Sequence, residues 1–151
     1  MIGEIYLKKE GFTLVELLAV IVILAVLLLL VTPSLFNSAK ASREKSFKTK
    51  IGLIETSAIM YGQDNYRTII NGVNENKPGY ALTDGFNTQT LEVRDLIPEY
   101  LTKDIEEGQT LNGKIYYIQD PRDNSRFLDD YKIIIKINPK TRKVTAEFQT
   151  S

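Results

Sequence analysis

The sequence predicts an α+β chain: a long N-terminal helix, membrane-spanning in its first half, packed against a small antiparallel sheet of about three strands. Three observations predict it. The twenty residues from Phe12 to Val31 are apolar except for Thr13 and Glu16, and a helix of them, rising ~1.5 Å per residue, covers ~30 Å, the hydrocarbon thickness of a bilayer. Beyond that run Phe47, Ile51, Ile54, Ala58 and Tyr61 recur at spacings of four, three, four and three, the period of one helix face. Near the C-terminus, Tyr131–Asn138 and Lys143–Gln149 alternate apolar and polar residues around Pro139-Lys140-Thr141-Arg142, the pattern of a half-buried hairpin.

Composition narrows the chemistry before any element is placed. The chain has 151 residues, a formal net charge of zero, no cysteine and no histidine. Disulfides, thiolate nucleophiles and sulfur-ligated metals are excluded, and so are a Ser-His-Asp triad, a His-based zinc site and a histidine general base. The neutral balance offers no global basic field for nucleic acid. We expect a protein that is not an enzyme, with no cofactor and no metal.

The apolar run opens with Thr13-Leu14-Val15-Glu16, which fits a capping box: Thr13 at the N-cap and Glu16 three positions on. The summed insertion preference of the aliphatic residues outweighs one acid near an end, so Glu16 does not keep the run out of a membrane. Pro33 removes a backbone donor, and the helical pattern resumes after it, so a helix kink is expected at Pro33 rather than a stop. Lys40, Arg43, Lys45, Lys48 and Lys50 follow. This basic stretch reads as a solvated helix face, with anionic lipid or DNA as the alternative contacts.

The amphipathic helix is expected to end between Gly62 and Gly72. Asn71 to Gln89, rich in Asn, Gly and Thr, reads as a loop. Leu91 to Pro98 reads as a short helix stopped by its proline, and Lys114 to Gln119 as the first of three strands. Tyr131, Ile133, Ile135 and Ile137 share a face with Val144, Ala146 and Phe148 of the partner strand, and that face is expected to pack on Phe47, Ile51, Ile54, Ala58 and Tyr61. The oxygen-rich stretch Asp120 to Asp130 lacks the spacing of an EF-hand and reads as a polar loop. Tyr61, Tyr66, Tyr80, Tyr100, Tyr116 and Tyr117 are expected in half-buried helix and sheet contacts.

Lys8-Lys9-Glu10-Gly11-Phe12-Thr13-Leu14-Val15-Glu16, followed by the long aliphatic run and Pro33, resembles the prepilin signature of type IV pilins and pseudopilins. The resemblance covers Lys8 to about Pro33. It implies cleavage by a prepilin peptidase between Gly11 and Phe12, on the cytoplasmic side, and N-methylation of Phe12. Cutting ahead of the apolar run leaves that run on the mature chain, with a new amine at its tip. A glycine at the cut supplies backbone without a side chain, suited to a narrow peptidase site.

Phe12 and Glu16 then lie four residues apart on one helix face, where amine and carboxylate partly neutralise each other in a medium hostile to unpaired charge. In a stack of such helices the resemblance implies that the amine of an incoming subunit meets Glu16 of its neighbour. An axially shifted subunit would leave charge unpaired, so Glu16 would serve as an assembly and register mark.

The resulting expectation is residues 1–11 as leader peptide, 12–33 as transmembrane and assembly helix, 34–70 as its amphipathic continuation, and 71–151 as globular head. The function is that of a structural subunit of a type IV pilus-like filament, forming a homo-oligomer or a mixed filament with other pilins. Its partners are a prepilin peptidase, a membrane assembly platform and, before assembly, membrane lipid. The chain is placed in the cytoplasmic (inner) membrane as a single-pass protein with its head outside, and after assembly at the cell surface or in a periplasmic or cell-wall filament. A pseudopilin of a type II secretion or DNA-uptake system is the alternative. Ala39-Lys40-Ala41 also imitates a signal-peptidase site, which would release a secreted soluble binding protein. One count runs against the placement: the cations after the run outnumber Lys8 and Lys9, so the positive-inside rule alone would put the C-terminal part in the cytoplasm. The processing motif overrules it.

Overall fold

The computed structural model describes residues 13–150, with side chains left aside over residues 31–35. The chain divides into two units, Met1–Ala41 and Ser42–Ser151. Helix α1, Leu14–Asp64, contributes to both, and it runs on through Pro33 instead of stopping there.

In the first unit the large apolar side chains described, Leu14 to Leu30, lie uncovered all round the helix, from 47 % exposure at Val20 to 81 % at Leu14. A helix apolar on every side has no solvated face, which marks it for lipid or for the company of other helices.

The second unit folds around the later part of α1. Phe47, Ile54 and Ala58 are buried, and Ile51 and Tyr61 pack partly buried beside them, as their spacing predicts. Helix α1 ends at Asp64, within the expected range, and a second helix, α2 (Tyr66–Asn74), follows it. The main sheet has the order β1-β2-β7-β8, antiparallel throughout, built from β1 (Tyr80–Thr83), β2 (Phe86–Glu92), β7 (Lys132–Ile137) and β8 (Val144–Phe148). In the β7–β8 hairpin Ile133 faces Phe148, Ile135 faces Ala146 and Ile137 faces Val144. These residues share one face of the sheet, as expected, and Ile133, Ile135 and Ile137 are fully buried. Asn138 closes the hairpin by accepting the N–H of Lys140 at 2.9 Å and of Thr141 at 3.0 Å.

Helix and sheet approach closely. A Cβ built on Gly62 would lie 2.7 Å from Ile135 Cγ2 and 2.8 Å from Val144 Cγ1, so only glycine fits at that crossing. Glu55, on the same helix, accepts the N–H of Phe148 at 3.1 Å and occupies one donor of the β8 edge.

Four sequence expectations are corrected here. The segment Asn71–Gln89 is not a loop: it holds the end of α2, all of β1 and the start of β2. Asp84 and Gly85 take φ of 51° and 79°, the left-handed pair that makes a two-residue hairpin whose twist matches its strands. The sheet therefore has four strands rather than three. The expected strand Lys114–Gln119 is broken. Its first part, β4 (Lys114–Tyr116), pairs with β3 (Gln109–Leu111), and its end, β5 (Gln119–Asp120), pairs with β6 (Asp123–Phe127), so the stretch Asp120 to Asp130, expected as a polar loop, holds a strand. Between them the carboxylate of Asp129 takes the N–H of Tyr117 at 2.8 Å and of Ile118 at 2.9 Å, removing the donors a continuous ladder would use. Finally, the short helix before Pro98 is a 3₁₀ turn, Val93–Leu96, because Leu91 and Glu92 belong to β2.

Candidate functional site

The site anticipated from sequence is the entry to α1. Gly11 and Phe12 lie outside the described residues. Thr13 and Glu16 form the reciprocal cap: Glu16 Oε2 accepts the Thr13 N–H at 2.8 Å and the Thr13 hydroxyl at 3.0 Å, while Thr13 Oγ1 accepts the Glu16 N–H at 3.3 Å. Otherwise orphaned donors of the first turn are thereby satisfied. Both bonds to the carboxylate use one oxygen, Oε2. Glu16 Oε1 has no hydrogen bond among the described residues, so the cap itself uses only one of the two carboxylate oxygens. The cap and a charge pairing with an external amine are therefore compatible on one side chain.

Past the cap, the described side chains from Leu14 to Leu30 offer apolar surface and no further charge. Among the described residues no helix is long and apolar enough to cross a membrane; at ~1.5 Å per residue, Leu14 to Leu30 covers roughly 25 Å of a ~30 Å hydrocarbon layer. The side chain of Pro33 is not among those described.

In the head the titratable groups hold one another. Asp120, with 1 % of its side chain exposed, accepts Arg122 Nη2 at 2.7 Å, Nε at 3.1 Å and the Arg122 N–H at 2.9 Å. Burial pushes this carboxyl up, but the Arg122 bonds outweigh it and hold it below the usual carboxylate range. The Arg122 guanidinium also lies 3.3 Å over the Phe47 ring, tying the β5–β6 ribbon to α1. Asp130 accepts from Arg94, from Lys114 Nζ at 2.7 Å and from the Tyr116 hydroxyl at 3.1 Å. Burial again opposes and those donors again win, so it too is held low. Asp120 and Asp130 are thus each committed to their own cations. Among the described residues no group of three or more metal-ligating side chains converges. The six tyrosines singled out in the sequence are half-buried; Tyr61 meets Tyr100 edge-on at 5.4 Å and Tyr116 meets Phe127 at 5.2 Å.

Residues 7–32 match the prokaryotic N-terminal methylation motif. The chain is similar to the type II secretion system core protein G of Pectobacterium carotovorum subsp. carotovorum, 44% identical over 43% of this chain and 42% of that protein. The protein of the same name from Escherichia coli (strain K12) is 43% identical over 39% of this chain and 41% of its own length. That from Aeromonas hydrophila is 41% identical over 49% and 54%. The chain spans about two-fifths to one-half of the length of these curated relatives. No solved structure matches. The motif and the relatives together support the type IV pilin-like resemblance carried by Lys8 to Pro33.

Proposed function

We propose that this chain, type IV pilin-like in its N-terminal segment, is a structural, non-catalytic subunit of a pilus-like filament. It is made as a membrane-anchored precursor, cut between Gly11 and Phe12 by a prepilin peptidase, methylated at Phe12, and polymerised through α1 at a membrane assembly platform. Residues 1–11 are the leader, 12–33 the anchor and assembly helix, 34–70 its continuation and 71–151 the rest of the head. One observation carries this reading: the methylation motif over residues 7–32 takes in the stretch of α1, Leu14 to Leu30, whose apolar side chains are exposed on every side. Such surface persists only under lipid or under neighbouring helices, and a subunit that passes from the first to the second uses both.

Before assembly the chain sits in the inner membrane with its head outside. In the filament Glu16 receives the amine of an adjacent subunit and Pro33 bends the helix. A second reading, a pseudopilin of a type II secretion system, is supported by the relatives named core protein G. Both readings share the processing step.

Mass spectrometry of the mature N-terminus tests it. N-methylated Phe12 is the expected result. A chain beginning at Met1 would make it an uncleaved anchor, and one beginning at Ser42 a secreted protein; either overturns the proposal.

A further inference from the structure

In three places a glycine follows an asparagine or aspartate: Asn71-Gly72, Asp84-Gly85 and Asn112-Gly113. A glycine nitrogen, unshielded by a side chain, can attack the preceding side-chain carbonyl wherever the backbone is free to bring the two together. The fold gives the three unequal freedom.

Asn71-Gly72 is held fastest. It lies inside α2, and a Cβ on Gly72 would lie 2.6 Å from the Tyr80 ring, so neither the helical hydrogen bonds nor the packing lets this backbone swing. Asp84-Gly85 turns the β1–β2 hairpin, but both strands belong to the four-stranded sheet, and an ionised carboxylate resists attack. Asn112-Gly113 is the freest. It turns the β3–β4 ribbon, a two-stranded sheet of three residue pairs, and two strands alone are marginally stable in water. Every residue from Gln109 to Ile115 is exposed, and nothing lies within 4 Å of where a Cβ on Gly113 would be. β4 is tied down, since Lys114 Nζ and the Tyr116 hydroxyl donate to Asp130 at 2.7 and 3.1 Å. The side chains of Gln109, Thr110, Leu111 and Asn112 make no hydrogen bond among the described residues. A Cβ on Gly108 would clash with Ile115 and Tyr117, so the base of the ribbon is close-packed and its tip is the end that opens. Asn112 and Gly113 keep their φ of 51° and 78° only while the turn is closed. Once it opens, rotation at Asn112 brings the Gly113 nitrogen against the side-chain carbonyl.

We propose that Asn112 is a site of spontaneous deamidation, selected over the other two places by the weak pairing of the β3–β4 tip. The Gly113 nitrogen, its proton lost to hydroxide, bonds to the side-chain carbonyl carbon of Asn112. The bond from that carbon to the amide nitrogen breaks, and ammonia leaves with a proton from water. Water then opens the cyclic imide. Attack at the side-chain carbon restores the normal chain as aspartate, and attack at the main-chain carbon leaves isoaspartate, with the chain running through the former side chain. Either product sets a new negative charge near Lys114. Isoaspartate also lengthens the turn by one backbone atom, so the two-residue connection that pairs Leu111 with Lys114 no longer fits. None of this depends on whether the chain polymerises.

The full chain in detergent, held at mildly alkaline pH and sampled over days, supplies the test, with isoaspartate scored by peptide mapping and mass spectrometry. Isoaspartate is expected at Asn112, rising with pH, about tenfold or more faster than at Asn71, because the ribbon tip opens far more readily than a packed helix. In urea that unfolds the head the two asparagines should react at comparable rates, since only the fold separates them. Asn112→Gly keeps the left-handed turn; it should remove most of the isoaspartate formed by the folded chain while head melting stays near wild type. Equal rates at Asn112 and Asn71 in the folded chain overturn the proposal, as does isoaspartate at Asn112 that forms in urea alone. Undiminished isoaspartate in folded Asn112→Gly also overturns it and moves the reaction to another residue.

Discussion

Helix α1 is used in two ways along its length. Leu14 to Leu30 shows apolar side chains in every direction, none more than about half covered. In the second unit the same helix carries a single apolar stripe, with Phe47, Ile54 and Ala58 buried and Lys45, Lys48 and Thr49 facing out. Backbone geometry is common to both, so the difference lies in what each stretch is built to meet. The first awaits a partner outside the fold, whereas the second has its partner, the β7–β8 face, within its own chain.

The sharpest break between the two is expected from Ile135→Ala. Ile135 is fully buried and lies against Gly62 at the helix–sheet crossing. The cavity should cost about 2 to 5 kcal/mol, read as a lowered melting temperature of the head, while flotation with vesicles stays as in wild type. Loss of flotation would mean that the two regions are not energetically separate.

Glu16→Gln reverses the experiment. The amide oxygen still caps Thr13, but the charge is gone, so head melting stays put while sheared filament falls about tenfold or more. Filaments at wild-type yield would leave Glu16 as a cap and nothing else.

Gly62→Val drives a side chain into Ile135 and Val144, and overpacking of this kind costs about 1 to 3 kcal/mol. It sharpens the comparison because glycine is demanded only where α1 meets the sheet. Gly52, on the same helix, has open space where a Cβ would go, so Gly52→Ala should not destabilise the head in the same melt.

The smallest effect is that of acid. Asp120, Asp123 and Asp130 have folded pKa values below their ordinary ones, so the folded head binds fewer protons than the unfolded chain in that range. Their contribution is complete above the unfolded aspartate value of about 3.9 and is lost as pH falls through the folded values. The head melt should drop below about pH 4. In Asp120→Asn that drop should shrink, and an unchanged acid profile would show that the Arg122 pair does not contribute to it.

Much of this was legible in the residues. The alternation of Tyr131 to Ile137 named its buried face, because a period of two cannot be satisfied by a helix. The spacing of Phe47, Ile54 and Ala58 named the face of α1 that meets it. The β1–β2 hairpin was legible as well: Asp84-Gly85 is a strong two-residue turn signal, as is Asn112-Gly113 between β3 and β4. The polar composition of Asn71–Gln89 concealed the first. Buried polar residues added to this, since Asn87, Thr88 and Gln89 are all buried in β2, where alternation alone asks for apolar side chains.

By itself the sequence determined the entry to α1, its all-round apolar run, its later stripe and the β7–β8 register, because each follows from contacts within a few residues or from a periodic pattern. Only the tertiary structure decided the break after Tyr116, where Asp129 takes the donors, and the pairing of Asp130 with Arg94, 36 residues away. Those depend on which carboxylate reaches which donor once distant strands are side by side. Linear spacing does not encode that distance; the folded backbone does.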